Sequence, residues 1–189
     1  MTLEFKKPEK EADYLNGVVR HINVNVNATT VYTKDYNYTN IIGSNYYKYW
    51  HSKYDTTYSQ YAQIDFINKY VFAKSYMFST GYNNDNNVPF YPTKWRLICS
   101  PDMKSWHTID TRSGIAQRVN QKFLLDIQTP SICRSIRIHI NGPDSSGRGY
   151  AYSGPIKFFG TVTSAMQMTY LRKRNTIFFS FLLILLTKS

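Results

Sequence analysis

The chain has 189 residues, with a net charge of +11, 42% hydrophobic residues and 16% aromatics. That length suits one domain, and one core of this size needs no metal or disulfide staple. The two cysteines, Cys99 and Cys133, read as neither a disulfide framework nor a zinc-ligand pair. The charge is uneven. Residues 1–16 hold three Lys against four acids, residues 17–163 hold sixteen bases against eight Asp and no Glu, and residues 164–189 hold four bases and no acid. A basic excess favours anionic partners, while its plain reading is a solvated surface.

Residues 1–16 are charged and mixed, and read as an N-terminal arm that starts with an edge strand. From Asn16-Gly17 onward, short apolar runs alternate with turn clusters. Val18, Val19, Ile22, Val24 and Val26 suggest a first strand. Ile64 and Phe66 flank Asp65, and Val71 to Phe78 follows. Trp95, Leu97 and Cys99 share one face of a run. Phe123, Leu125 and Ile127 alternate, as do Ile136, Ile138 and Ile140, and finally Ile156 and Phe158. A period of two in runs of four to eight residues predicts strands, and the Asn, Gly, Pro, Ser and Asp between them set turns. Many short strands with decorated loops predict an all-β sandwich or jelly roll. Two loops are long, residues 81–94 and 141–155, and long loops in compact domains often carry function.

The tail, residues 164–189, changes character. Arg172-Lys173-Arg174 precedes an apolar run from Ile177 to Leu186. As a helix that run reaches about 15 Å, half of a bilayer core. A full span is therefore disfavoured, and the two readings left are contact with an anionic membrane surface or a frayed extension. The N-terminus has no apolar core of a signal peptide, which predicts a cytoplasmic chain with reduced thiols. The sequons at Asn27 and Asn37 then read as accidental.

Five segments carry a resemblance. Asn40-Ile41-Ile42-Gly43-Ser44 with Trp50-His51-Ser52 is similar to Asn-Leu-Leu-Asp-Gly followed by Trp-x-Ser. Gln63-Ile64-Asp65-Phe66 follows. Trp95 through Ile109 resembles the pattern W-x-I-x-x-S-N-D-G-x-x-W-x-x-I. Arg134-Ser135-Ile136-Arg137-Ile138 and Gly154-Pro155-Ile156-Lys157-Phe158-Phe159-Gly160 complete the set. In this order, over residues 17–163, the segments resemble the discoidin, or coagulation factor 5/8 type C, domain. Pro101 and Met103 stand where that pattern has Asn and Gly, and Lys157 where it has Glu. The terminal cysteine pair of secreted members is missing.

The resemblance implies a galactose-binding-like β-sandwich or distorted barrel with jelly-roll topology, and a non-catalytic module. It implies recognition of a carbohydrate or protein ligand by loops at one end. The loops place Tyr32, Tyr36 and Tyr38 within Val31–Thr39, and Tyr46, Tyr47 and Tyr49 before Trp50. They place Tyr82, Asn84, Asp85, Phe90 and Tyr91 within Gly81–Pro92, and Arg148, Tyr150 and Tyr152 in the late loop. A sugar needs an aromatic plate with a few amide, Asp or Arg groups, here Asn84, Asp85 and Arg148. An anionic membrane, the alternative ligand, would use the aromatics with Lys34, Lys48 and Lys53. In a Tyr-rich chain, any one of these Tyr also reads as an ordinary loop residue.

Trp50, Trp95, Trp106 and Phe158 are expected in the core, with Cys99 a small buried hydrophobe beside them. No enzyme motif is present, and His21, His51, His107 and His139 are scattered, which reads as solvated or structural. No cofactor and no metal is expected. Single-stranded nucleic acid is the weakest of the ligand readings: the charge and aromatics suit it, but no nucleic-acid motif occurs.

Overall fold

The computed structural model describes residues 3–4, 23–42, 45, 47–81 and 90–164. The arm beyond Leu3–Glu4, the run Val18–Ile22, and the tail from residue 165 lie outside the described residues. The described strands are β1 Leu3–Glu4, β2 Val24–Ala28, β3 Trp50–His51, β4 Tyr61–Phe66, β5 Lys69–Ser79, β6 Lys94–Ser100, β7 His107–Ser113, β8 Lys122–Asp126, β9 Ile132–Cys133, β10 Ser135–Ile140, β11 Tyr152–Ser153 and β12 Lys157–Ser164. Two short 3₁₀ turns, Lys34–Tyr36 and Tyr38–Ile41, precede β3.

All pairings among the described residues are antiparallel. One sheet runs β1-β12-β5-β8, with β9 also on β5. The other runs β2-β4-β10-β6-β7. A two-stranded ribbon joins β3 and β11. The order is non-consecutive, as a jelly roll requires. Period-two alternation buries one face of each large sheet against the other. β4 contributes Ala62, Ile64 and Phe66, β6 Trp95, Leu97 and Cys99, and β10 Ile136, Ile138 and Ile140. Val71, Ala73, Tyr76 and Phe78 of β5 and Phe158 and Val162 of β12 face them. The all-β sandwich is present, and the alternating runs within the described residues form strands, with β2 beginning at Val24.

Trp50, Trp95 and Phe158 are buried to 0%, 0% and 1% exposure. Trp95 is not a purely apolar anchor. Its Nε1 donates to the Tyr76 hydroxyl at 3.0 Å, and that hydroxyl donates to Asp110 Oδ2 at 2.6 Å. Arg112 Nε pairs with the same carboxylate at 2.8 Å, so each polar group in this buried chain has its partner. Burial, then the Asp110 bond, pushes the Tyr76 phenol far up.

Trp106 takes a different place from the core position expected of it. Asp102 Oδ1 accepts from the Lys104 and Ser105 amides at 2.8 and 2.7 Å, and Met103 turns left-handed with φ of 64°. The chain then enters β7 with Thr108 opposite Ile98 on the outer face of the sheet. Trp106, two residues earlier, shares that face and is half-buried beneath Arg137.

The cysteines also depart from expectation. Cys99 near the end of β6 and Cys133 in β9 are disulfide-bonded, with Cα atoms 5.4 Å apart. β9 hydrogen-bonds to β5 of the opposite sheet, and this register brings the two thiols together.

Candidate functional site

The ribbon of β3 and β11 builds one end of the sandwich. Trp50 points inward, where its Nε1 donates to Thr30 O at 2.8 Å, so alternation turns the next residue, His51, outward. His51 stands opposite Tyr152, and the Ser52 hydroxyl accepts from the Ala151 amide at 2.9 Å, which locks this register. The Tyr32 amide donates to His51 O at 2.8 Å and brings the first loop over the ribbon. Asn40 Nδ2 donates to Tyr49 O at 3.0 Å and fixes the strand approach.

The late loop is shaped by one carboxylate. Asp144 Oδ1 accepts from the Ser146 amide, the Ser146 hydroxyl and the Arg148 amide at 2.9, 2.7 and 2.9 Å. Gly147 supplies the left-handed residue of the turn, at φ of 81°. At Gly149 the backbone passes so close to Asp55 that a Cβ would lie 2.1 Å from its carbonyl oxygen. The Ser145 amide donates to Tyr91 O at 3.0 Å, so the segment after the third loop is pinned to the same turn.

These constraints gather rings around His51. It is stacked between Tyr32 and Tyr152, with centroids 4.6 and 4.3 Å away. Tyr150 and Tyr36 meet it edge-on at 5.2 and 5.4 Å. Tyr49 lies 5.0 Å from Tyr36, and Tyr54 lies 5.2 Å from Tyr150. Arg148 places its guanidinium carbon 4.0 Å above the Phe90 ring, and Phe90 stacks toward Tyr152 at 6.0 Å.

Two buried polar atoms here have no partner among the described residues: His51 Nε2 and the second Asp144 oxygen, Oδ2. An unpaired buried polar atom costs about 1–3 kcal/mol, so such atoms point to a ligand or an ordered water. Burial lowers the His51 pKa to about 4, against an opposing pull from the nearby Asp144 carboxylate. At neutral pH the imidazole is therefore uncharged, with one nitrogen a donor and one an acceptor. Burial, then Asp144, raises the Tyr152 phenol, which stays protonated. A neutral ring wall, a neutral imidazole, a carboxylate oxygen and a guanidinium together match a polyhydroxylated ligand with one apolar face.

The sequence profile of the F5/8 type C domain matches residues 25–153. The chain belongs to that family. Among solved structures, this F5/8 type C domain resembles CpGH89CBM32-5 from Clostridium perfringens, in complex with GalNAc-β-1,3-galactose, at 14% identity and a TM-score of 0.57 over 72% of this chain and 95% of that one. It resembles the family 32 CBM of C. perfringens NanJ, in complex with galactose, at 13% identity and a TM-score of 0.57, covering 74% and 93%. It also matches the C. perfringens glycoside hydrolase CpGH89, in complex with its substrate GlcNAc-α-1,4-galactose, at 17% identity and a TM-score of 0.56 over 75% of this chain. It spans 14% of the length of that enzyme. These likenesses show the galactose-binding-like fold. No curated protein is similar enough to the chain to count as a match.

Of the residues the sequence proposed for the F5/8 type C site, Tyr36, Phe90, Arg148 and Tyr150 meet in the aromatic cluster. Tyr47 is 68% exposed, with its amide on Asn45 Oδ1. Tyr91 packs against the hydrophobic core. Tyr46, Tyr82, Asn84 and Asp85 lie outside the described residues. His51 and Asp144 were not proposed as site residues. The signal for His51 was its place directly after the inward-facing Trp50. The signal for Asp144 was Asp-Ser-Ser-Gly, a carboxylate heading a tight turn.

Among the described residues, no helix is long and apolar enough to cross a membrane, and no group of His, Cys, Asp or Glu is arranged to hold a metal ion.

Proposed function

We propose that this domain is a non-catalytic module that binds a neutral carbohydrate in the cluster around His51. The observation that carries this reading is the pair of unpartnered buried atoms, His51 Nε2 and Asp144 Oδ2, within a wall of tyrosine rings. A sugar hydroxyl donates to the carboxylate oxygen and exchanges a hydrogen bond with the imidazole. The apolar face of the sugar ring packs on an aromatic plate, and Arg148 beside Phe90 donates to a further hydroxyl. The family 32 modules above hold galactose and a GalNAc-galactose disaccharide, so galactose-type sugars are the first ligands to test.

The experiment is a calorimetric titration of the full chain with galactose and GalNAc-β-1,3-galactose, backed by a glycan array. Binding is expected, with loss of at least about tenfold in His51→Ala and Tyr150→Ala, the order of one lost buried polar or stacking contact. Silence across the array, or full affinity in both variants, would sink the reading.

A second reading, contact with an anionic membrane surface, is favoured by one observation. Tyr32 and Tyr54 are 51% and 57% exposed, beside the exposed Lys34 and Lys53. Co-sedimentation of the chain with phosphatidylserine vesicles, lost in a Lys34→Gln/Lys53→Gln variant, is the result it requires.

A further inference from the structure

The outer face of the sheet β2-β4-β10-β6-β7 carries a second constellation, built from other residues than the aromatic cluster. The alternation that buries Ile136, Ile138 and Ile140 turns Arg137 and His139 outward, and Arg96 stands opposite His139 in the neighbouring strand. Arg137 is clamped between two rings. Its guanidinium carbon lies 3.6 Å from the Trp106 centroid and 4.4 Å from that of Tyr61. Its Nε donates to Gln63 Oε1 at 2.8 Å, so one edge of the fork is fixed and the terminal amino groups remain to be used.

Arg96 is held in the same way. Its Nε donates to His139 Nδ1 at 3.0 Å. The imidazole proton therefore sits on Nε2, which reaches Tyr58 O at 3.0 Å. Burial, then the two arginines, keeps this imidazole below its usual pKa, although the Tyr58 carbonyl acts the other way. Both guanidinium groups are thus oriented through Nε by neutral partners. Among the described residues, the arginine joined to a carboxylate is Arg112, through Asp110, and neither Arg96 nor Arg137 has such a pair. The carboxylate on this face, Asp65, already accepts from Gln63 Nε2 at 2.8 Å and Ser135 Oγ at 2.5 Å.

Two pre-oriented arginine forks that no carboxylate pairs directly among the described residues are a poor arrangement for stability and a good one for oxyanions. The planar fork reads carboxylate and sulfate bidentately, and a fork already held at Nε loses little entropy on binding. Neighbouring strands lie about 4.8 Å apart and same-face residues about 7 Å apart, a spacing that suits charges repeated along a polymer. On the flank, Asn27 is exposed and in register with Gln63, which is itself in register with Arg137. An amide there suits the hydroxyls between anionic groups.

The geometry points to a second ligand surface: the Arg96–Arg137 face of this sheet binds an anionic polysaccharide through its carboxylate or sulfate groups. A nucleic-acid single strand would need free ring faces for its bases, whereas Trp106 and Tyr61 turn theirs toward the guanidinium between them. This surface stands whether or not the His51 cluster binds a sugar.

The test titrates the full chain with a heparin octasaccharide, as the sulfate source, and with oligogalacturonate, as the carboxylate source. Saturable binding to one or both is expected, weakening as salt is raised. Arg96→Gln and Arg137→Gln are each expected to weaken it about fivefold to tenfold, the order of one lost charge-assisted contact. Arg137→Gln also uncovers Trp106, so Arg96→Lys gives an independent reading: it keeps the charge, lacks the fork, and is expected to lose about threefold or more. Lys34→Gln/Lys53→Gln and Tyr150→Ala, on the other site, are expected to stay within about twofold. Three results would overturn the inference: no saturable binding to either polymer, equal loss in the lysine pair, or tighter binding of poly(U) that Arg96→Gln abolishes.

Discussion

His51 concentrates the chemistry of the aromatic end in one ring, and its protonation is tied to the stability of the fold. Burial between Tyr32 and Tyr152 holds its pKa at about 4, against about 6.5 in an unfolded chain. Above pH 6.5 the ring is neutral in both states. As the pH falls from 6.5 towards 4, the unfolded chain takes up the proton first, so stability is lost over that window and levels off below it. The ring is half-buried, and with solvent screening the loss comes to about 1–2 kcal/mol. His139 is lowered too and acts in the same direction, so the contribution of His51 is read as a difference. Urea unfolding of wild type and His51→Gln at pH 7.5, 5.5 and 4 is expected to show a shallower acid decline in the variant. Identical pH profiles would mean that the ring is not held neutral by the fold.

Among the elements, β12 shows how tightly the sheet is built around a single residue. Its register on β5 shifts between Phe159 and Gly160, and there the strands approach so closely that a Cβ on Gly160 would lie 1.9 Å from Phe72 O. A backbone oxygen cannot rotate aside as a side chain can, so Gly160→Ala forces the two strands apart. The expected cost is about 3 kcal/mol, seen as a fall in Tm of about 10 °C with an unchanged folded-state spectrum. A fall of less than about 2 °C would show that the bulge relaxes freely. The strands were legible in the sequence because alternation is local: Trp95, Leu97 and Cys99 declare their common face within five residues. The site was less so. His51 joins the aromatic cluster because β3 pairs with β11, a contact closed across 99 residues by Ser52 and Ala151. Trp106 was misplaced for a related reason. Composition marks it as a core aromatic, but the left-handed Met103 and the register of β7 decide which side of the sheet it reaches.

For the whole molecule, the two sheets are joined by apolar packing, by the hydrogen bonds of Tyr76 with Trp95 and Asp110, and by one covalent link. Cys99 lies one residue before the end of β6 in one sheet, and Cys133 lies in β9, paired to β5 in the other. The cysteines are 34 residues apart, so the bond closes a loop whose freedom is removed from the unfolded chain. On chain-entropy grounds that constraint is worth about 3–4 kcal/mol. The native interior loses little when the bond opens, because both residues are fully buried among apolar neighbours and a thiol packs there as a small hydrophobe. Reduction is therefore expected to act mainly on the unfolded state. The urea midpoint should fall, the slope should rise as the freed chain exposes more surface, and the native tryptophan fluorescence should be unchanged below the transition. A Cys99→Ala/Cys133→Ala variant should match the reduced protein within about 1 kcal/mol, apart from the small cavity it leaves. Equal midpoints for oxidised and reduced protein would show that the disulfide adds nothing to the packing and hydrogen bonds that already hold the sheets together.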